Sequence, residues 1–187
     1  MARIIRDEEI NIELLKDKTI AVIGYGSQGE AQAKNIRDSG IRTIVGLRKG
    51  GESWNRALKD GFEVYEIGEA VKKSDVILML IPDPVQPSVY REYIEKNISE
   101  GSTLVFAHAF NIHYKQITPA KWLDVVLVAP KAPGPALREA YLKGSGVPGL
   151  IAVYQDYTGN ASKIVREIAK AIGLSRVGLI ETSFREE

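Results

Sequence analysis

The sequence predicts a doubly wound α/β domain built on a mostly parallel sheet. Three observations predict it. Short, continuous apolar runs recur along the chain, as expected for strands covered on both faces. Amphipathic stretches alternate with those runs, and the connections between them are short. One glycine-rich loop follows the first strong strand and opens a helix.

The elements follow in order. Residues 19–23 (TIAVI) read as a buried strand, and residues 27–38 as an Ala-rich helix stopped by Ser39-Gly40. Residues 42–46 (RTIVG) form a second strand, 52–59 a short helix, 63–65 a short strand and 68–73 a further helical turn or two. Residues 75–81 (DVILMLI) make a strong central strand. Residues 84–97 read as a helix with Val85, Val89, Tyr93 (or Tyr90) and Ile94 on one face. Strands are expected at 103–107, 125–129, 150–154 and 177–180, with a helix at 161–172 between the last two. Two loops punctuate the second half, 132–135 and 144–149. No repeat, low-complexity tract or linker divides the chain.

Composition narrows the function classes. The 187 residues carry 25 Lys plus Arg against 24 Asp plus Glu, so there is no general field for nucleic acid or an anionic membrane. A domain of this size buries roughly 70% of the surface its unfolded chain exposes. The absence of cysteine excludes disulfides, thiolate metal sites and a Cys nucleophile. With only His108 and His113, a three-His metal site is impossible in one chain, whereas carboxylates for Mg²⁺ are plentiful. The longest apolar run, 76–81, is far short of the about 20 residues a bilayer requires. Charges in residues 1–9 stand where a secretory signal needs an apolar stretch. The expected location is the cytoplasm.

Gly24-Tyr25-Gly26-Ser27-Gln28-Gly29 is a G-x-G-x-x-G loop in strand–loop–helix context. Glycines permit a tight turn and a close approach to a diphosphate, and the helix start offers free N–H groups and partial positive charge. This points to a Rossmann-like dinucleotide site; a glycine turn serving only tight packing is the plainer alternative. After the second strand come Arg48, Lys49 and Ser53, which suit a 2′-phosphate and favour NADP(H) over NAD, while Glu52 pulls the other way.

Ligands of open α/β sheets bind beyond the carboxyl ends of the strands. The polar residues at those ends are Asp83 and Gln86, His108 and Asn111, and Lys131. An imidazole and an ammonium beside a nicotinamide can polarise a carbonyl or relay a proton. Asp83 equally suits the cap of a helix starting near Pro84, and His108 a loop bonded to backbone. His113 is read as structural, and Trp54 and Trp122 as packing residues.

The blocks Gly24–Gly29, Gly46-Leu47-Arg48 with Ser53-Trp54, Pro82-Asp83 with Val85-Gln86, Phe106-Ala107-His108 with Phe110-Asn111-Ile112, and Val128-Ala129-Pro130-Lys131 with Pro133-Gly134 resemble the N-terminal domain of ketol-acid reductoisomerases. So do Gly146-Val147-Pro148, Gln155-Asp156 and Ile180-Glu181-Thr182 with Phe184. That family, acting in isoleucine and valine biosynthesis, performs an Mg²⁺-dependent alkyl shift in a 2-acetohydroxy acid and then a reduction by NADPH to a 2,3-dihydroxy acid.

The resemblance implies that Tyr25, Gly26, Ser27 and Gln28 hold the diphosphate, and that Arg48 and Ser53 hold the 2′-phosphate. It implies that Asp83, Pro84, Val85 and Gln86 line the cofactor site, and that Gly134 approaches it. His108 and Lys131 correspond to catalytic positions. The sequence departs from the family pattern at Glu30, Gly51, Pro84, Ala109, Ala132 and Pro135. The resemblance also implies an NADP-binding domain over residues 1–182, with 183–187 beginning a helical domain that carries the family's Mg²⁺ carboxylates. None of those carboxylates lies in this chain, so the acetohydroxy-acid substrate is expected only together with such a domain. Two other expectations stand beside this one: a free-standing NADP-binding or regulatory module, and a 6-phosphogluconate-dehydrogenase-like oxidoreductase.

Overall fold

The computed structural model describes residues 4–187; residues 1–3, and with them the first positions of the expected domain and of the charged amino-terminal stretch, lie outside the described residues. Among the described residues nine strands form one sheet: β1 (Ile4–Ile5), β2 (Ile20–Ile23), β3 (Thr43–Leu47), β4 (Glu63–Glu66), β5 (Val76–Met79), β6 (Thr103–Phe106), β7 (Asp124–Pro130), β8 (Gly149–Gln155) and β9 (Leu179–Glu181). Their spatial order is β1-β9-β8-β7-β6-β5-β2-β3-β4. From β4 to β7 every pairing is parallel. The chain winds outward from β2 through β3 to β4, then returns to β5 on the other flank of β2. The order therefore reverses between β2 and β5, which is where open sheets leave a crevice.

β2 shows why the sheet is doubly covered. Ile20 and Val22 enter one core cluster and Ala21 and Ile23 the other, and all four are fully buried. A buried isoleucine is worth about 1.5–3 kcal/mol over an exposed one. The first cluster lies under α1 (Ser27–Asp38), α2 (Glu52–Lys59), α6 (Gly134–Leu142) and α7 (Ala161–Ile172). The second lies under α3 (Ile67–Lys72), α4 (Gln86–Val89) and the short α5 (Phe110–His113), with Phe184 from the tail.

Several details differ from the sequence reading, among them the short β1 and α5, which it did not contain. The helix expected over 84–97 is broken into a 3₁₀ turn (Asp83–Val85), α4 and a π turn (Tyr90–Ile94), in which the N–H of Glu95 donates to the carbonyl of Tyr90 at 2.8 Å. Its single expected face is accordingly split. Tyr90 and Ile94 are buried in the core, while Val85 and Tyr93 stay exposed. Gly134 starts a nine-residue helix where only a loop was read. The strand expected at 177–180 forms at Leu179–Glu181. β8 runs antiparallel to β7, which the apolar run could not reveal because burial does not encode direction.

β9 is only three residues long, and the chain beyond it crosses the second apolar face. Phe184 is buried there against the ring of Tyr154, 5.3 Å between centroids. This carries Glu187 back to the carboxyl edge of the sheet. At the other end, the fully buried Glu167 carboxylate accepts the N–H groups of Glu13, Leu14 and Leu15 at 3.0–3.2 Å and fastens the amino-terminal segment to α7.

Candidate functional site

A cavity of about 640 Å³ opens at the reversal point, beyond the ends of β2, β3 and β5. Gly24, Tyr25 and Gly26 form one wall, Arg48, Glu52, Ser53 and Trp54 a second, and Leu80 to Pro82 with Val85, Val89 and Tyr93 the third.

The three glycines of the loop do different work. Gly24 has φ +100°, and a Cβ there would sit 2.5 Å from the carbonyl oxygen of Leu80. A Cβ on Gly29 would lie 2.4 Å from the carbonyl oxygen of Gly24, so this glycine lets α1 press on the loop. A Cβ on Gly26 would meet nothing within 4 Å. The space above Gly26 belongs to the cavity rim, and a methyl would take it from a ligand. Among the described residues no acceptor faces the N–H groups of Gly26, Ser27 and Gln28. Unsatisfied amides at a helix start, beside open space, are the makings of an anion cradle.

The side chains of the loop point elsewhere. The Tyr25 ring is buried against Phe62, and its hydroxyl donates to Asp60 Oδ2 at 2.9 Å. Burial, and then the Asp60 charge, push the Tyr25 phenol well above its ordinary range. Burial alone would raise the Asp60 carboxyl, but the Lys34 and Tyr25 hydrogen bonds outweigh it and hold Asp60 low. Tyr25 lines the cavity with its hydroxyl already engaged by Asp60. Gln28 donates to the carbonyl of Ala132 at 2.8 Å and ties α1 to the loop after β7. Gly134 is not on the cavity wall. A Cβ on it would lie 2.0 Å from the carbonyl oxygen of Ser27, so its place is the contact between the starts of α1 and α6.

On the second wall Arg48 is exposed, and among the described residues no carboxylate pairs with it. Its charge is felt by Tyr93 across the cavity: Glu92 first of all raises the Tyr93 phenol, and Arg48 pulls it back. Ser53 stands in the first turn of α2 beside Glu52. Trp54 and Tyr93 line the cavity, although the sequence reading gave the one to packing and the other to a helix face.

Along the loop after β5, Val85 lines the cavity, while Pro84 is exposed and off its wall. Gln86 is buried and donates to the carbonyl of Ile81 (2.9 Å) and to Asp83 Oδ1 (3.1 Å). Asn111 donates to Gln86 Oε1 at 2.9 Å and to the carbonyl of Asp83 at 3.0 Å. These polar side chains fasten the β5 loop to the β6 loop.

Farther along the edge, His108 and Lys131 are about half exposed, 54% and 45%. His108 Nδ1 accepts the N–H of Phe110 at 3.1 Å, so the proton of the neutral ring sits on Nε2. Glu187 joins the two residues. Its carboxylate accepts Lys131 Nζ at 3.2 Å and the N–H of Ala109 at 2.9 Å, and lies 4.0 Å from His108 Nδ1. The sequence reading gave Glu187 no part in the site; its place follows from the return of the tail, which no local pattern announces. Among the described residues no group of three or more His, Asp or Glu is arranged to hold a metal ion, and no helix is long and apolar enough to cross a membrane.

Comparison with known proteins fits this geometry. The family described as acetohydroxy acid isomeroreductase, NADPH-binding domain, matches residues 14–178. The chain is 60% identical over its 187 residues to a ketol-acid reductoisomerase (NADP(+)) of Pyrococcus abyssi, and 58% to one of Methanopyrus kandleri. It spans 56% and 57% of those curated relatives, little more than half their length. Among solved structures, an NADH-preferring ketol-acid reductoisomerase from an uncultured archaeon superposes with a TM-score of 0.96 at 45% identity, covering 99% of this chain and 57% of that one. A semialdehyde dehydrogenase NAD-binding protein from Cupriavidus necator, 20% identical with a TM-score of 0.76 over 91% of this chain and 64% of that one, shares the fold.

Proposed function

The chain belongs to the acetohydroxy acid isomeroreductase family and carries its NADPH-binding domain, and on that premise we propose that the 640 Å³ cavity is the seat of the cofactor. The observation that carries this is the open space above Gly26 beside unsatisfied amides, with an unpaired guanidinium on the facing wall. The N–H groups of Gly26, Ser27 and Gln28 take the diphosphate. Arg48, with Ser53, takes the 2′-phosphate, where a charge-assisted guanidinium contact is strongest. Val85, Val89 and Tyr93 supply an apolar wall for the base.

In the longer protein that the relatives represent, this domain would serve the reduction of a 2-acetohydroxy acid after alkyl migration. The loop amides and Arg48 would hold NADPH in the cavity, where it would supply the hydride. His108 Nε2 and Lys131 Nζ are the groups of this chain able to donate a hydrogen bond to the substrate oxygens that gain charge. Glu187 holds the Lys131 ammonium at the edge. Mg²⁺ is part of the resemblance, but the described residues do not offer it a ligand set, and no step is drawn through it. A cysteine-free chain suits the reducing cytoplasm.

One observation favours a second reading of the same cavity. The Glu52 carboxylate, 90% exposed on the second wall, suits the ribose hydroxyls of NADH. Titrating NADPH and NADH while following tryptophan fluorescence separates the two. NADPH is expected to bind the more tightly, and Arg48→Asp to weaken NADPH more than NADH. Equal losses would remove the 2′-phosphate role. An absence of binding by either nucleotide would remove the cofactor site altogether.

A further inference from the structure

Arg56 is not on the cavity wall, and the sequence reading passed over it, yet it touches two walls at once. It lies on α2, one turn beyond Ser53. Its Nη2 donates to the carbonyl oxygen of Tyr25 at 2.6 Å and reaches Ser53 Oγ at 3.4 Å. The Glu52 carboxylate is farther off, 3.8 Å from Nη1. The short contact thus goes to a main-chain carbonyl of the glycine loop.

That carbonyl matters because of peptide geometry. In a planar trans peptide the C=O and the next N–H point in opposite directions. A cation that draws the Tyr25 carbonyl toward α2 therefore aims the Gly26 N–H the other way. A carbonyl turned into the cradle would instead place partial negative charge against a diphosphate. Tyr25 is anchored on the carbonyl side, but Gly26 on the amide side has no Cβ to restrict its φ, so the orientation of this peptide unit gains from an external hold. Among the described residues Arg56 is the group that bonds this carbonyl.

We propose that Arg56 is a positioning residue for the diphosphate cradle: it orients the Tyr25–Gly26 peptide, and through Ser53 it links that orientation to the wall that reads the 2′-substituent of the adenosine. This deepens the cofactor reading above and rests on it. It also predicts a particular pattern across ligands. NADPH and NADH share the diphosphate, whereas adenosine 2′-monophosphate carries the base and the 2′-phosphate without it.

The test titrates these three ligands against the wild-type chain, Arg56→Met and Arg56→Lys, with thermal melting of each. Arg56→Met is expected to weaken NADPH and NADH alike by about tenfold, the size of one charge-assisted hydrogen bond. Adenosine 2′-monophosphate should change by less than about threefold. Arg56→Lys, whose ammonium can still reach a carbonyl, should recover most of the loss. A loss confined to NADPH and adenosine 2′-monophosphate would overturn the proposal in favour of a direct phosphate contact. Equal losses for all three ligands alongside a lower melting temperature would overturn it in favour of a merely structural role, and unchanged affinities would overturn it outright. Failure of the wild-type chain to bind NADPH would instead strike the cofactor reading itself.

Discussion

At the glycine-loop end of the carboxyl edge, backbone meets backbone: Gly24, Gly29 and Gly134 each leave no room for a methyl. At the other end, His108 and Lys131 stand half in solvent, joined through one carboxylate that arrives with the tail. The first end is fixed by covalent geometry and close packing, which few motions can alter. The second is fixed by an ion pair and an amide hydrogen bond, which can open without unfolding the sheet. A diphosphate cradle gains from the first arrangement, because preformed amides need no reorganisation when the anion arrives. The second arrangement leaves Lys131 able to exchange its partner for another acceptor.

Substitutions can break this contrast, beginning with the most damaging. Gly134→Ala forces a methyl into the carbonyl of Ser27. It should cost about 3 kcal/mol, the upper range for overpacking. In a thermal melt that is a drop of roughly 6–12 °C for a chain of this size. A melt within a degree of wild type would show that the two helix starts are free to part. Gly26→Ala should leave the melt unchanged, because its methyl meets open space, yet weaken NADPH by about tenfold or more. Unchanged affinity there would put the diphosphate elsewhere. Glu187→Gln should cost about 1 kcal/mol: the carboxylate is only 4% exposed, but the amide oxygen can keep the Ala109 N–H and Lys131 stays half in solvent. It should leave NADPH affinity alone while raising the rate at which an amine reagent modifies Lys131. Protection that persists would mean that Glu187 does not hold the lysine.

The smallest expected effect is one of pH. Asp60, whose carboxyl is held low in the fold, lends stability that is fully present above its ordinary value near 3.8 and is lost as pH falls through its lower folded value. Urea midpoints of the wild type should therefore fall more steeply below about pH 4 than those of Asp60→Asn. Parallel curves would show that Asp60 adds nothing to the hold on Tyr25.

Much of the stiff end was legible in the sequence, and little of the loose end. G-x-G-x-x-G after an apolar run specifies its own local geometry, so the loop, α1 and the cavity beside Arg48 followed from residues close in the chain. The uses of Tyr25, Gln28 and Gln86 did not, because each side chain spends its hydrogen bonds on a partner supplied by the tertiary fold. The π turn at Tyr90–Ile94 was hidden for another reason. A helical apolar pattern does not register one extra residue per turn, and that residue decides whether Tyr93 faces core or cavity. Glu187 was least legible: it meets Ala109 and Lys131 across 78 and 56 residues of sequence.

The wedge at Gly134 sets α1 and α6 side by side and running the same way. Their starts touch at Ser27, and farther along Arg138 of α6 bonds Asn35 and Asp38 of α1. Like poles of two dipoles are thereby brought together, an alignment that repels in isolation. At the trailing ends, the Arg138 guanidinium offsets the Asp38 carboxylate that ends α1. At the leading ends the chain offers Glu30 in the first turn of α1, already paired with Lys34, and a bound diphosphate would add the larger counterweight. Cofactor occupancy would then be part of this domain's electrostatic balance, and saturation with nucleotide should raise its melting temperature in step with ligand concentration.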